Sequence, residues 1–271
     1  MEVHFQMEIP VNRWYEAIES RCSRRSFEDT TLKTEDAAAL EGLCAKISDS
    51  VDDIRLVYKQ NGIENVFRGA LGKIIRPSAY VALIGNAKEP NIQEKLGYAG
   101  ECVVLEATSL GVGSCWIGGF FSREGIREAL GIGEDEFVPA VIALGYANEK
   151  KSIFEKLIKG LSKSSSRKDI ERISEGLARE KWPGWARSAV EAARQSPSAV
   201  NRQPWRFEVG EGFIKVMLDT PDNSYSISKR LDCGIAMLHI ELGARRMGAK
   251  GSWRYLESPD VAVYEIDEAM T

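Results

Sequence analysis

Two stretches of this chain can be laid over one another without a gap. LGYAGECVVLEATSLGVGSCW, from Leu96, matches CGIAMLHIELGARRMGAKGSW, from Cys233. Gly97, Ala99, Leu105, Ala107, Gly111 and Trp116 fall on Gly234, Ala236, Leu242, Ala244, Gly248 and Trp253. Each stretch is apolar on most of its helical faces, the pattern of a helix buried all round. Each then meets a glycine suited to a left-handed helix end. Any two buried helices that end in glycine share that much. The tryptophan that follows each glycine at the same distance is an extra match, so the repeat points to an internal duplication. A chain built this way is expected to fold as two related halves.

The remaining pattern mixes helices and strands. A helix is expected over 11–21, with Trp14, Tyr15 and Ile18 at helical spacing, and another over Thr34–Ile47 with Thr34 as its N-cap. Apolar runs at Ile54–Tyr58, Ala79–Gly85 and Val138–Tyr146 read as strands. Residues 148–182 are polar, and SKSSSRK at their centre reads as an exposed connection. A helix at Trp185–Arg194 then ends at Ser196-Pro197. RFEVGEGFIKVML follows as a hairpin, the second repeat helix covers Gly234–Met247, and Val261–Ile266 reads as a last strand. The expected halves are 1–170 and 171–271.

The balance of charge narrows the partners. A formal net charge of -4 with both signs interspersed gives no reason to expect nucleic acid or an anionic membrane. No apolar run approaches the ~20 residues of a membrane span, and MEVHFQMEIPVNRW lacks the basic-then-apolar order of a secretory signal. The five cysteines, Cys22, Cys44, Cys102, Cys115 and Cys233, show no CxxC spacing. With His4 and His239 the only histidines, no zinc-ligand set is expected. Reduced, mostly buried thiols in a cytoplasmic protein fit this usage.

Three segments carry candidate chemistry. In RCSRRSF, an extended backbone would put Arg21, Ser23 and Arg25 on one face. Two guanidiniums and a hydroxyl suit a phosphate, although a solvated helix end would read the same. In SPSAVNRQPWRF, Pro197 and Pro204 stiffen the backbone. Ser198, Asn201 and Gln203 there gather groups able to read the edge of a planar heterocycle, although a polar turn before a strand would also use the prolines. GVGSCWIGGFF lacks the third glycine of GxGxxG and the serine placement of GxSxG. Its Trp116-Ile117-Gly118-Gly119 can bring bare backbone close to a flat ligand, or it is a glycine-rich turn that buries Trp116.

Taken together, RxSxRxF, PSxxNxQPW and GxGSCWIGG resemble the FMN-dependent nitroreductase family. Arg21, Ser23, Arg25 and Phe27 carry the first motif. Pro197, Ser198, Asn201, Gln203, Pro204 and Trp205 carry the second. Gly111, Gly113, Ser114, Cys115, Trp116, Gly118 and Gly119 carry the third. The order departs from the family, because PSxxNxQPW stands in the second half and RxSxRxF only in the first. The chain is thus similar to a single-chain, internally duplicated branch, the putative TM nitroreductase-like proteins, in which each half keeps a complementary part of one site.

The resemblance implies an α+β nitroreductase-like sandwich, with a central mixed β-sheet, helices on both faces and two pseudo-symmetric halves. It implies FMN as cofactor and NADH or NADPH as transient electron donor. The implied cofactor-binding residues are Arg21, Cys22, Ser23, Arg25, Trp116, Ile117, Gly118, Gly119, Arg167, Pro197, Ser198, Ala199 and Asn201. Arg167 resembles the late arginine that closes on the phosphate, and as a solvated linker charge it would need no partner. No catalytic side chain and no metal are expected. The implied reaction passes hydride through the flavin to a nitroaromatic, quinone or similar small acceptor. The alternatives are a non-catalytic flavin-binding or sensing protein and a structural protein with a degraded site. A monomeric pseudo-dimer is expected, with further self-association left open.

Overall fold

The computed structural model describes residues 2–3, 7–67, 74–148, 166–221 and 227–267. Along the chain run β1 (Glu2–Val3), α1 (Val11–Ser20), α2 (Thr34–Ser50), β2 (Ile54–Lys59), α3 (Ile63–Phe67), β3 (Ala79–Asn86), α4 (Ile92–Ser109), β4 (Gly113–Ile117), α5 (Arg123–Leu130) and β5 (Glu136–Gly145). After these come α6 (Ile170–Ile173), β6 (Ser174–Gly176), α7 (Gly184–Arg194), β7 (Trp205–Val209), β8 (Phe213–Leu218), α8 (Lys229–Arg246), β9 (Gly251–Tyr255) and β10 (Asp260–Ile266). Residues 149–165 of the polar connection expected over 148–182, including the first part of SKSSSRK, lie outside the described residues. The chain forms two compact units that interleave in sequence. One holds Met1–Glu19, Gln93–Tyr98 and Ser166–Thr271, and the other Ser20–Ile92 and Ala99–Ser165.

The second of these units is built on a four-stranded antiparallel sheet in the order β2-β3-β5-β4. Strand β3 is buried along all but its last residue, which explains its nearly continuous apolar run, AYVALIGN. On one face Tyr80, Ala82 and Ile84 join Phe27, Phe67, Ile117 and Ile126 in a core cluster. On the other, α4 lies so close that a Cβ on Gly100 would meet Leu83 Cδ2 at 3.1 Å and the Trp116 ring at 2.3 Å. The N-cap of helix α2 falls one residue earlier than expected. Lys33 occupies the N-cap position without a side-chain hydrogen bond, and Thr34 is already helical. Acidic Glu35 and Asp36 in the first turn favour that start through the helix dipole.

The other unit carries a six-stranded sheet in the order β1-β9-β10-β8-β7-β6. It is mixed, because β6 runs parallel to β7 while the other pairs are antiparallel. The expected hairpin is present as β7 and β8, closed by the Gly210 N–H donating to Phe213 O (2.9 Å). Helix α8 packs tightly on α7, where a Cβ on Gly243 would meet Ala189 Cα at 2.6 Å. His239, fully buried on α8, is held by Nδ1 against Ala192 O at 3.0 Å.

Each repeat helix ends the same way within its own unit. Past α4, Gly111 has φ +75°, the Val112 N–H reaches Ala107 O (2.8 Å) and the Gly111 N–H reaches Thr108 O (3.0 Å). Past α8, Gly248 has φ +82°, the Ala249 N–H reaches Ala244 O (3.1 Å) and the Gly248 N–H reaches Arg245 O (3.0 Å). Both are Schellman ends, and every residue in one has its counterpart in the gapless alignment. The architecture is α+β, as the resemblance implies, with a sheet in each unit. Among the described residues no helix is long and apolar enough to cross a membrane.

Candidate functional site

The RCSRRSF segment follows α1 and runs extended along the four-stranded unit. Ser23 bridges Ser114 in parallel, Ser26 bridges Ile75, and Phe27 bridges Ala147. The Arg24 N–H donates to Ser114 O (2.8 Å) and the Phe27 N–H to Ile75 O (2.9 Å). The Arg24 side chain lies across Gly113, where a Cβ would come within 3.1 Å of Arg24 Cγ. In an extended chain the neighbouring positions point the other way, so Arg21, Ser23 and Arg25 share the opposite face. Phe27 anchors the segment in the core at 1% exposure. Its ring lies against Gly145, where a Cβ would sit 2.9 Å from it. Arg21 Nε is buried without a hydrogen-bond partner among the described residues, and Cys22 is exposed. A buried guanidinium N–H left open in this way is costly unless an acceptor arrives.

The segment expected as a glycine-rich turn is partly a strand. Residues Gly113–Ile117 form β4, and Trp116 and Ile117 pair with Ile142 and Val141 of β5. The half-buried Trp116 donates its indole N–H to Glu101 Oε2 (2.9 Å). Bends follow at Gly118 and Gly119, the latter exposed with no atom near its Cβ direction.

The SPSAVNRQPW segment lies in the six-stranded unit, between α7 and β7. Its backbone is unusual. Val200, Asn201 and Gln203 take φ of +48°, +57° and +49°. Left-handed backbone costs an L-residue roughly 1–2 kcal/mol, and a β-branched valine is a strong outlier there. Such strain persists only where the surroundings over-determine it, and here they do. Ser198 Oγ accepts the Gln203 N–H (2.9 Å). Arg167 donates to Asn201 Oδ1 (2.9 Å) and to Gln195 O (3.2 Å). Asn201 Nδ2 and Gln203 Nε2 both donate to Ser166 O, at 2.9 and 3.1 Å. The Lys168 N–H donates to Gln203 Oε1 (2.8 Å), and Lys168 Nζ to Gln203 O (2.8 Å).

These bonds give the amides of Asn201 and Gln203 a structural task, because both are engaged by residues 166–168. The part of the loop turned outward is Ser198 and Ala199, half-buried, and Val200, 68% exposed. Pro197 is buried beside Ser196, whose Oγ is fully buried and without a partner among the described residues. Arg167 is half-buried and bound to the loop, so it is not a solvated linker charge.

One pair was not readable beforehand. Asp232, in the first turn of α8, is 2% exposed and accepts the Ala199 N–H at Oδ1 (3.1 Å) and the Arg202 Nε–H at Oδ2 (2.7 Å). Burial pushes its carboxyl up to about 6, against the opposing pull of Arg202 and of the Ala199 N–H. In the sequence Asp232 stands just before the repeat helix as read, and an acidic residue in a first turn is too common to single out. Among the described residues no group of His, Cys, Asp or Glu side chains is arranged to hold a metal ion.

Comparison with known proteins places this architecture. The family model described as "Putative TM nitroreductase" matches residues 13–244, and the chain belongs to that family. A crystal structure of a putative nitroreductase from Thermotoga maritima superposes over 97% of both chains, with 23% identity and a TM-score of 0.62. An FMN-dependent nitroreductase from Clostridium difficile covers 49% of this chain and 86% of its own, with 19% identity and a TM-score of 0.42, too distant to bear on residue roles. A curated protein of Archaeoglobus fulgidus, "Putative NADH dehydrogenase/NAD(P)H nitroreductase", is 36% identical over 87 residues. That match takes in 31% of this chain and 43% of the relative's length.

Proposed function

We propose that the protein is an FMN-dependent oxidoreductase that carries electron pairs from NADH or NADPH to a nitroaromatic, a quinone or a similar small acceptor. The observation that carries this reading is the buried Arg21 Nε, open on the face that also bears Ser23 and Arg25. A phosphate supplies the acceptor that this donor lacks, in the bidentate manner guanidinium favours. The residues therefore fit the cofactor that the family's motifs imply.

Arg21, Ser23 and Arg25 would bind phosphate, ribityl oxygens and pyrimidine edge, with Cys22 contributing backbone. Pro197, Ser198, Ala199 and Asn201 would face the isoalloxazine from a loop whose strained backbone is already set. The stretch from Trp116 to Gly119 would border the ring, with the Trp116 indole tied to Glu101 and so kept in place. Arg167 would serve both the phosphate and the loop it holds. FMN would supply a two-electron carrier, and the protein's share is to bind, orient and exclude water.

The test is direct. Protein purified from cells should be yellow, mass spectrometry of the released cofactor should give FMN, and reduced nicotinamide should be consumed with a nitroaromatic or quinone present. Flavin without turnover would mark a binding or sensing protein. No flavin absorbance after adding FMN would overturn the reading. Activity should also survive a chelator, and its loss with recovery on adding a metal would count against the proposal.

A further inference from the structure

We infer that Asp232 is the positioning residue of the Ser198–Gln203 loop, and that it sets the backbone which the proposed flavin contact uses; the inference rests on the reading given under Proposed function. Asp232 itself is too deeply buried to meet a ligand. Its two oxygens hold the loop at Ala199 and at Arg202. Those two points bracket Val200 and Asn201, the two adjacent left-handed residues. Arg202 is fixed in turn by a bond from Nη2 to Ile227 O (3.0 Å), just before α8. The carboxylate sits in the first turn of α8, after the Ser228 cap, where the helix dipole favours a negative charge.

The contacts from residues 166–168 act on the side chains of Asn201 and Gln203 and on the Gln203 carbonyl. They leave the Ala199 end of the loop untouched. The Ser198–Gln203 bond joins the loop's ends without fixing what lies between them. Asp232 alone anchors the segment from the helix side, among the bonds described. A neutral side chain of the same shape could still accept from Ala199, but it would leave the buried Arg202 guanidinium without its counter-charge.

Two variants test this, Asp232→Asn and the double variant Asp232→Leu with Arg202→Met, which removes the buried charges together so that no orphan remains. The first measurement needs no flavin. Amide hydrogen exchange over residues 199–203 should speed up at least about tenfold in both variants, while amides of β7 and β8 keep their protection. Unchanged exchange in the loop overturns the inference. The second measurement is titration with FMN. Both variants should bind about tenfold or more weakly, the double variant doing so although its melting temperature stays near that of the wild type. Wild-type affinity in a stable double variant would also overturn it. Failure of the wild-type protein to take up FMN would instead sink the proposed function, and the exchange measurement would still decide the role of Asp232.

Discussion

Arg21 and Arg55 show how differently two arginines can be engaged. Arg21 is open at Nε, and its replacement by alanine should weaken FMN binding by roughly 1.5–3 kcal/mol, the usual worth of a hydrogen bond to a charged group. Fluorescence titration would check this, and an unchanged Kd would remove Arg21 from the proposed set. Arg55 is instead fully matched, with Nε and Nη2 donating to the two oxygens of Glu136 at 2.8 and 2.9 Å. That fork, helped by the Gly133 N–H, holds the Glu136 carboxyl at about 2, below its ordinary value of 4.5. A lowered value in the folded state means stability that is present above about 4.5 and lost as pH falls toward 2. The pair is partly exposed, so Arg55→Met should cost about 1 kcal/mol or less at pH 7. The difference should vanish near pH 2, and urea titrations at the two pH values would show it. A cost that persists at pH 2 would mean that Arg55 acts through packing.

Among the elements, the glycines of the repeat helices make the sharpest contrast. A Cβ on Gly97 would lie 2.0 Å from Leu231 O, and one on Gly234 would lie 2.2 Å from Glu94 O. Gly97 and Gly234 are repeat counterparts, and so are Glu94 and Leu231, which makes the contact reciprocal. Neither neighbour is a flexible side chain, so Gly97→Ala or Gly234→Ala should cost roughly 1–3 kcal/mol or more through forced backbone shifts. Gly42, exposed in α2 with nothing within 4 Å of its Cβ direction, should behave oppositely. Gly42→Ala should stabilise by about 0.5–1 kcal/mol through helix propensity and the unfolded chain's entropy. Thermal melts of the three variants would test both signs.

The alignment made these helices legible, because their apolar surround and terminal glycines are local signals. Gly97 and Gly234 fall in that alignment, yet nothing in it marks them as the points of closest approach. Close backbone approach leaves no mark in hydrophobic periodicity. Strand β4 was hidden for a related reason: glycine and serine at its start, GSCWI, mask the alternation that a strand should show. The loop's left-handed residues were equally unreadable. Valine argues against that backbone, and bonds from Asp232, Ser166, Arg167 and Lys168 hold the segment there. RxSxRxF was legible as an extended basic face, while the open Nε of Arg21 became visible only with its burial.

At the scale of the whole chain, the motifs limit how much cofactor can bind. One RxSxRxF and one PSxxNxQPW occur in the 271 residues. Under the proposed function, titration of flavin-free protein with FMN should therefore saturate at about one equivalent per chain, whatever its state of association, since each proposed set of contacts is present once. An endpoint near two equivalents would show that a second site had been assembled from other residues.

The two tryptophans of the repeat show what duplication leaves free. Trp116 gives its indole N–H to Glu101, and Trp253 gives its own to Glu241 at 3.1 Å. The tryptophans are counterparts, but the glutamates are not, since Glu241 stands one turn further along its helix than the position matching Glu101. Residues three or four apart on a helix share a face, so a carboxylate at either position can reach the same point. A buried indole donor is a fixed demand that two neighbouring addresses can meet. Once a gene carries two copies of such a demand, each copy can move its supplier to the other address through an intermediate that holds both. The two glutamates thus answer one demand, written twice in one molecule, from different addresses.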